Sequence, residues 1–151
     1  MNPNGSGLTL SVSNAYKIEG YEEVLFAHCS GYFNKFNDCL ASKGFQKMTI
    51  VLPNFGKLDL YNTHLDAGES KSDKAARKQQ INTLAHYIKN TKTDHPIIVA
   101  GDFNMDLHDD DSLLYSFYHK FDFSTIKKNP KEPLVDYVFI KSSQSIQLNI
   151  L

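Results

Sequence analysis

Apolar positions recur along the chain in short runs and then at helical spacing. Leu8 to Val12 follows a glycine-rich entry and reads as a strand. Tyr16 to Phe26 alternates loosely and holds another. Ser30 to Lys43, rich in Gly, Asn, Lys and Asp, reads as a loop. From Phe45 to Leu52, Met48, Ile50 and Leu52 share one face and Lys47 and Thr49 the other, the pattern of a half-buried strand. Pro53-Asn54-Phe55-Gly56 has turn chemistry, and Leu58, Leu60 and Tyr61 form the returning strand of a hairpin that ends at Asn62-Thr63-His64. After a polar loop from Asp66 to Asp73, Ala76, Ile81, Leu84, Ala85 and Ile88 recur at helical spacing up to about Asn90, with Ser72 as the expected N-cap. Ile97 to Ala100 is a short apolar run suited to a buried strand. Asp109-Asp110-Asp111-Ser112 precedes a second helix, Leu113 to Phe121, where acids suit the positive end of the helix dipole. Leu134 to Ile140 is a further strand, and Ile146 to Leu151 a last one. Strands, helix, strand, helix, strands is an α/β order with a mixed sheet.

Composition adds bounds. The 151 residues, 41% apolar and 22% charged, fit one domain with a core. A net charge of −1 gives no basic excess to announce nucleic acid, although a local groove can hide in a neutral total. No apolar run reaches membrane-spanning length, and no secretory signal is visible, so the cytoplasm is the default compartment. Cys29 and Cys39 match no zinc spacing. They read as two ordinary thiols, with a disulfide closing a small loop as the alternative if the chain is exported.

The chemistry concentrates at strand ends. Gly101-Asp102-Phe103-Asn104 follows the Ile97–Ala100 run, so one acid and one amide arrive just past a strand, where ligands bind in α/β proteins. A carboxylate and a carboxamide suit a hard cation, a phosphate oxygen or a water aimed at phosphorus. His64 arrives in the same way, and Asp136 stands near the start of Val-Asp-Tyr-Val-Phe-Ile. Other clusters have plainer readings. Asp106, Asp109, Asp110 and Asp111 read as an acidic helix start rather than a Ca²⁺ loop. Lys71, Lys74, Arg77 and Lys78 read as a solvated helix face rather than a phosphate grip. Phe117, Tyr118, Phe121 and Phe123 read as core rather than an aromatic lip for lipid.

Taken together, Tyr61-Asn62-Thr63-His64-Leu65, Gly101-Asp102-Phe103-Asn104 and Asp136-Tyr137-Val138-Phe139-Ile140 stand in the order and rough spacing of the endonuclease/exonuclease/phosphatase superfamily, which this chain resembles from about Gly7 to Ile140. Asp38-Cys39-Leu40-Ala41-Ser42-Lys43-Gly44-Phe45 is similar to the sphingomyelinase-like branch. The resemblance implies part of a two-sheet α/β sandwich with helices outside, the deoxyribonuclease-like fold, with N-terminal strands missing. It implies single-step hydrolysis of a phosphoester by water, assisted by Mg²⁺ or Mn²⁺. On the matching positions, His64 would hydrogen-bond the scissile phosphate. Asp102 would orient or deprotonate the attacking water. Asn104 would hold the phosphate or that water, Asp102 and Asn104 would face the metal, and Asp136 would orient a histidine.

The family pattern is longer than this chain. Its early Asn strand and metal-anchoring Gln-Glu motif have no counterpart here, and Glu19, Glu22 and Glu23 lie in the wrong context. Its closing Ser-Asp-His motif is also unmatched, and His28, His86, His95, His108 and His119 stand in no such setting. The resemblance therefore implies one partial domain over 1–151. Its substrate would be a phosphodiester, in a phospholipid or, on a deoxyribonuclease-like alternative, in nucleic acid. A non-catalytic remnant, or one part of a split enzyme that uses a complementing fragment, is the other class. Loss of a metal anchor and of a charge-stabilising histidine each removes orders of magnitude of rate, so the isolated chain is expected to be impaired. Half a sandwich leaves a sheet face or edge uncovered, so marginal stability or self-association is expected as well.

Overall fold

The computed structural model describes residues 7–31, 39, 42–107, 113–125 and 135–149. Among them, six strands form one mixed sheet: β1 (Lys17–Leu25), β2 (Gly44–Leu52), β3 (Gly56–His64), β4 (Ile97–Asp102), β5 (Ser124–Thr125) and β6 (Asp136–Lys141), in the order β1-β2-β3-β4-β6-β5. β2 and β3 are an antiparallel hairpin turned at Asn54 and Gly56, both at positive φ. The helix α1 (Lys71–Asn90) carries the chain from β3 to β4, and those two strands pair in parallel. Helix α2 (Leu113–Lys120) lies between β4 and β5 in sequence.

Helix α1 begins two residues before the expected cap. Ser70, not Ser72, is the N-cap, because Asp73 stands at N3 and closes a capping box: Ser70 Oγ accepts from the Asp73 N–H at 3.2 Å and Asp73 Oδ2 accepts from the Ser70 N–H at 2.8 Å. Ser72 Oγ meets Ser70 Oγ instead. The apolar stripe Ile81, Leu84, Ala85 and Ile88 then packs on the sheet with Phe45, Tyr61 and Val99. α2 adds Leu114 and Phe117 to the same face, where Phe103, Phe121, Phe123, Tyr137 and Phe139 complete an aromatic core. Phe117, Phe121 and Phe123 are thus core as expected, with Tyr118 packed against them, whereas Tyr115 is exposed.

Both helices pack on one face of the sheet. The opposite face carries Met48, Ile50 and Leu58, covered by Leu10, Val12 and Leu148. Leu8–Val12 is therefore inward-packing but not a strand. Gln46 Nε2 and Asn62 Nδ2 donate to the Leu8 and Thr9 carbonyls, and among the described residues no strand lies beside the segment to form a ladder. The expected last strand is likewise irregular over 146–149, with Leu148 seated on the same cluster. Val138 on this face and Ile18 and Tyr21 on the edge strand β1 remain exposed.

Cys29 and Cys39 are bonded, which replaces the reading as two thiols: the excursion between β1 and β2 brings their Cα atoms within 5.3 Å, inside disulfide reach. Arg77 leaves the solvated face assigned to it. It is buried, and its guanidinium donates to the Asp66 and Gly68 carbonyls at 3.0 and 2.6 Å. Asp109 to Asp111 lie outside the described residues.

Gly101 is where the sheet is tightest. A Cβ there would lie 1.9 Å from the Thr63 carbonyl oxygen, and its φ of +143° is one that L side chains rarely adopt. Gly101→Ala is expected to remove more than about 3 kcal/mol of stability or abolish the cooperative transition, as urea denaturation will show. The exposed apolar positions of β1 and β6 predict concentration-dependent self-association of the isolated chain. A monodisperse monomer across a wide concentration range in sedimentation analysis would contradict it.

Candidate active site

The register of the sheet assembles the site. Gly44 pairs with His64, His64 with Asp102, and Asp102 with Asp136. Residues paired across a sheet point to the same face. His64, Asp102 and Asp136 therefore stand in one row across β3, β4 and β6, on the face away from the helices. The row lies where parallel β3 and β4 both end, the carboxyl edge at which α/β sheets bind ligands.

The turn after β4 is locked to the end of β3. The Leu65 N–H donates to the Asp102 carbonyl at 3.0 Å, and Asn104 Nδ2 donates to the Leu65 carbonyl at 2.9 Å. The Phe103 N–H donates to the Val135 carbonyl at 2.8 Å, which ties in the start of β6. Asn104 has a positive φ of 50°, a conformation asparagine tolerates, and its own N–H returns to Asp102 Oδ1 at 2.8 Å. One carboxylate oxygen of Asp102 thus builds the turn. The other, Oδ2, lies 3.6 Å from His64 Nε2, beyond a hydrogen bond. Asn104 keeps its Oδ1 and one N–H for a ligand.

Lys43 completes the row. Its Nζ is 3.0 Å from His64 Nε2, although the residue is only 8% exposed. An ammonium has only N–H groups to give, so Nε2 is the acceptor and a neutral His64 carries its proton on Nδ1. In the sequence, Lys43 belongs to the Asp38–Phe45 motif and carries no separate role. Its signal was a lone lysine immediately before Gly44, the glycine at which β2 begins and where a Cβ would lie 2.4 Å from the Val24 carbonyl oxygen.

Two carboxylates directly opposite on neighbouring strands, Asp102 and Asp136, lie about 5 Å apart at Cβ and repel. Lys43 places one positive charge against His64 in the same row, and a bound cation would relieve the repulsion. Among the described residues no cluster of three or more His, Cys, Asp or Glu side chains is set to hold a metal ion. Asp102 and Asn104 do offer the hard oxygens that Mg²⁺ takes while keeping several waters, so the donor chemistry fits even though the set is small.

The remaining described histidines stand apart from the row. The His28 carbonyl accepts from Gln80, the His86 carbonyl from Asn90, His95 faces the buried Asp59 at 3.3 Å, and His119 stacks with Tyr115 and Tyr118. His108 lies outside the described residues. Behind the site is a network the sequence did not announce. Asp66 is fully buried: its Oδ1 accepts from Gln80 Nε2 at 2.6 Å and its Oδ2 from the Ser30 N–H at 2.7 Å, while its N–H donates to Gln80 Oε1 at 2.9 Å. With Arg77 on the Asp66 and Gly68 carbonyls, α1 thereby fixes the chain two and four residues after His64. At the far side of the turn, the Tyr137 hydroxyl accepts from the Leu107 N–H at 2.8 Å, and burial raises its phenol above the ordinary tyrosine value.

Comparison with known proteins gives this geometry a setting. The family model described as Endonuclease/Exonuclease/phosphatase family 2 matches residues 6–147. A protein named sphingomyelinase from Mycobacterium tuberculosis (strain ATCC 25618 / H37Rv) is 29% identical over 108 residues, 72% of this chain and 20% of that protein. Among solved structures, that of SmcL superposes with a TM-score of 0.67 at 21% identity, covering 88% of this chain and 52% of that one. A Staphylococcus aureus beta toxin variant with bound magnesium ions gives 0.63 at 17% identity, covering 89% and 52%. The chain thus spans about a fifth of the curated relative and about half of these structures. The structural likeness establishes the deoxyribonuclease-like sandwich fold, of which the chain supplies the helix-backed sheet.

Asn104 holds the turn through both its backbone and its side chain, and two substitutions separate them. Asn104→Gly keeps the positive φ and loses only the bond to Leu65, so it is expected to destabilise by about 1 kcal/mol. Asn104→Ala loses both and is expected to cost about 2 kcal/mol. Urea midpoints at constant slope will measure the difference.

Proposed function

The chain belongs to the endonuclease/exonuclease/phosphatase family 2, and from that premise we propose that its His64–Asp102–Asp136 row is the hydrolytic edge of a metal-assisted phosphodiesterase of the sphingomyelinase type. The observation that carries this reading is the register itself: a histidine and two carboxylates at one level of the sheet, with the buried Lys43 at 3.0 Å from the histidine. A phosphodiester is an anion, and its hydrolysis needs charge neutralisation and an aimed water. Lys43 and His64 supply N–H donors on one side of the row. Asp102, held by its turn, presents the carboxylate that orients or deprotonates the water. Asn104 offers an N–H to the phosphate or an oxygen to the water. Asp136, level with Asp102 on the neighbouring strand, would orient a histidine brought to the row.

Asp102 and Asn104 would hold a divalent cation through oxygen. When bound, such an ion polarises a phosphoryl oxygen and offsets the negative charge that builds there. The sphingomyelinase name of the 29% identical relative and the magnesium in the beta toxin structure support the lipid phosphodiester and the metal respectively. With so few protein ligands at the site, low turnover is expected of the 151 residues alone.

With magnesium present, the chain is expected to hydrolyse sphingomyelin and a chromogenic phosphodiester, and chelation should abolish both activities. His64→Ala and Asp102→Ala should each lower kcat by about 10² to 10⁴, and Asp102→Ala should also lower the melting temperature, because the Asn104 N–H loses its acceptor. Turnover on DNA but not on lipid would remove the sphingomyelinase assignment. Equal turnover in Asp102→Ala would remove the site.

A further inference from the structure

The disulfide lies beside the residues that hold His64, and both of its flanks reach them. On one flank, His28 and Ser30 bracket Cys29: the His28 carbonyl accepts from Gln80 Nε2 at 2.9 Å, and the Ser30 N–H donates to Asp66 Oδ2 at 2.7 Å. Asp73, in the first turn of α1, is held below the ordinary carboxyl range by Ser70 and Ser30, which together with Arg77 outweigh burial. Asp66 and Gln80 are the buried pair that fixes the chain two residues after His64. On the other flank, Cys39 is four residues before Lys43, whose Nζ meets His64 Nε2. Across the bridge, the Cys39 N–H donates to the Gly31 carbonyl at 3.2 Å and the Gly31 N–H to Cys39 Sγ at 3.0 Å. One flank therefore grips the segment after His64, and the other leads to the lysine that touches its ring.

We propose that the Cys29–Cys39 bridge is a redox clasp on this site, holding Lys43 buried against His64 while closed and releasing it when a dithiol opens it. In opening, the S–S bond takes up two electrons and two protons and becomes two thiols, while the dithiol leaves as its own disulfide. Cys29 is exposed, so a reductant reaches the bridge without unfolding the sheet. The β1–β2 ladder and the Phe26 N–H to Lys43 carbonyl bond at 2.9 Å do not pass through the bridge, so they survive its opening. What is lost is the covalent tie between Cys29 and Cys39, ten residues apart, whose closure narrows the open ensemble. The consequence for turnover rests on the phosphodiesterase reading above, whereas the release of Lys43 does not.

The test is amine acylation of the whole chain by an N-hydroxysuccinimide ester, read residue by residue by mass spectrometry, with and without dithiothreitol. Reduction is expected to raise Lys43 labelling about tenfold while the already exposed Lys57 and Lys74 stay constant. It is also expected to lower kcat on a soluble chromogenic diester, with recovery on reoxidation. The double variant Cys29→Ser/Cys39→Ser should label Lys43 at the reduced level in both conditions and lose all response to dithiol. Unchanged Lys43 labelling after complete reduction overturns the proposal. Labelling that rises at every lysine, with loss of helical circular dichroism, also overturns it, because the bridge would then hold the whole fold. A tenfold change at Lys43 with no turnover in either state upholds the clasp and refutes the hydrolase reading.

Discussion

The parallel contact between the ends of β3 and β4 governs the rest of the structure. At Gly101 the two backbones approach so closely that a Cβ would fall 1.9 Å from the Thr63 oxygen. Only glycine permits that approach, and the approach puts Asp102 level with His64. From there the hydrogen bonds follow in sequence: Leu65 N–H to the Asp102 carbonyl, Asn104 Nδ2 to the Leu65 carbonyl, Phe103 N–H to the Val135 carbonyl. Three strands and one turn are joined at a single level by a missing methyl group. The site is therefore a property of the sheet's own backbone, and loops contribute its lysine and its asparagine.

Behind that contact lies a buried polar layer. Asp66, Arg77 and Gln80 are each almost wholly out of water, yet each has its partners in the residues just described. Burial without partners would cost several kcal/mol; burial with them turns the same groups into rigid fixtures. α1 thus does two jobs with interleaved residues. Ile81, Leu84, Ala85 and Ile88 hold it on the core, and Arg77 and Gln80, in its N-terminal half, hold the loop after His64. The Cys29–Cys39 bridge enters through this layer, since Ser30 and His28 attach to Asp66 and Gln80.

Much of this was legible in the sequence, and the parts that were not share a cause. The β2–β3 hairpin, the helix stripe and the strand before Gly101 each combine a clear period with turn residues at their ends, so local chemistry and tertiary outcome agree. His64, Asp102 and Asp136 were visible because each is a polar residue at the edge of an apolar run. Arg77 and Gln80 were not, because a long polar residue on a helix reads as solvated unless something across the fold accepts its hydrogen bonds. Ser70 was missed for Ser72 because the choice rests on which serine has an acid three residues on, and only Ser70 has Asp73. Leu8–Val12 has the strand pattern but lacks a neighbour to form a ladder with, and a strand is defined by its partner. Lys43 was quoted as part of a motif, and its contact with His64 depends on a register that no local pattern reveals.

The two faces of the sheet set what the site can do. The helix face is closed and aromatic. Among the described residues, the site face is covered toward β2 and β3, where Leu10, Val12 and Leu148 lie over Met48, Ile50 and Leu58. The His64 and Asp102 side chains stay 41% and 32% exposed. Because the row is aligned by backbone pairing, its geometry does not depend on what lies over it. Its electrostatics do. Charge pairs in contact with water are screened several-fold relative to the same pairs in a dry cleft, and phosphoryl hydrolysis draws most of its rate from such preorganised charge. On the proposed function, a correctly spaced row in an open, wet setting would orient a phosphodiester yet stabilise its transition state weakly. Position and dielectric are separable here: the sheet register supplies the first within these 151 residues, and the second requires cover over Val138 and the row beside it.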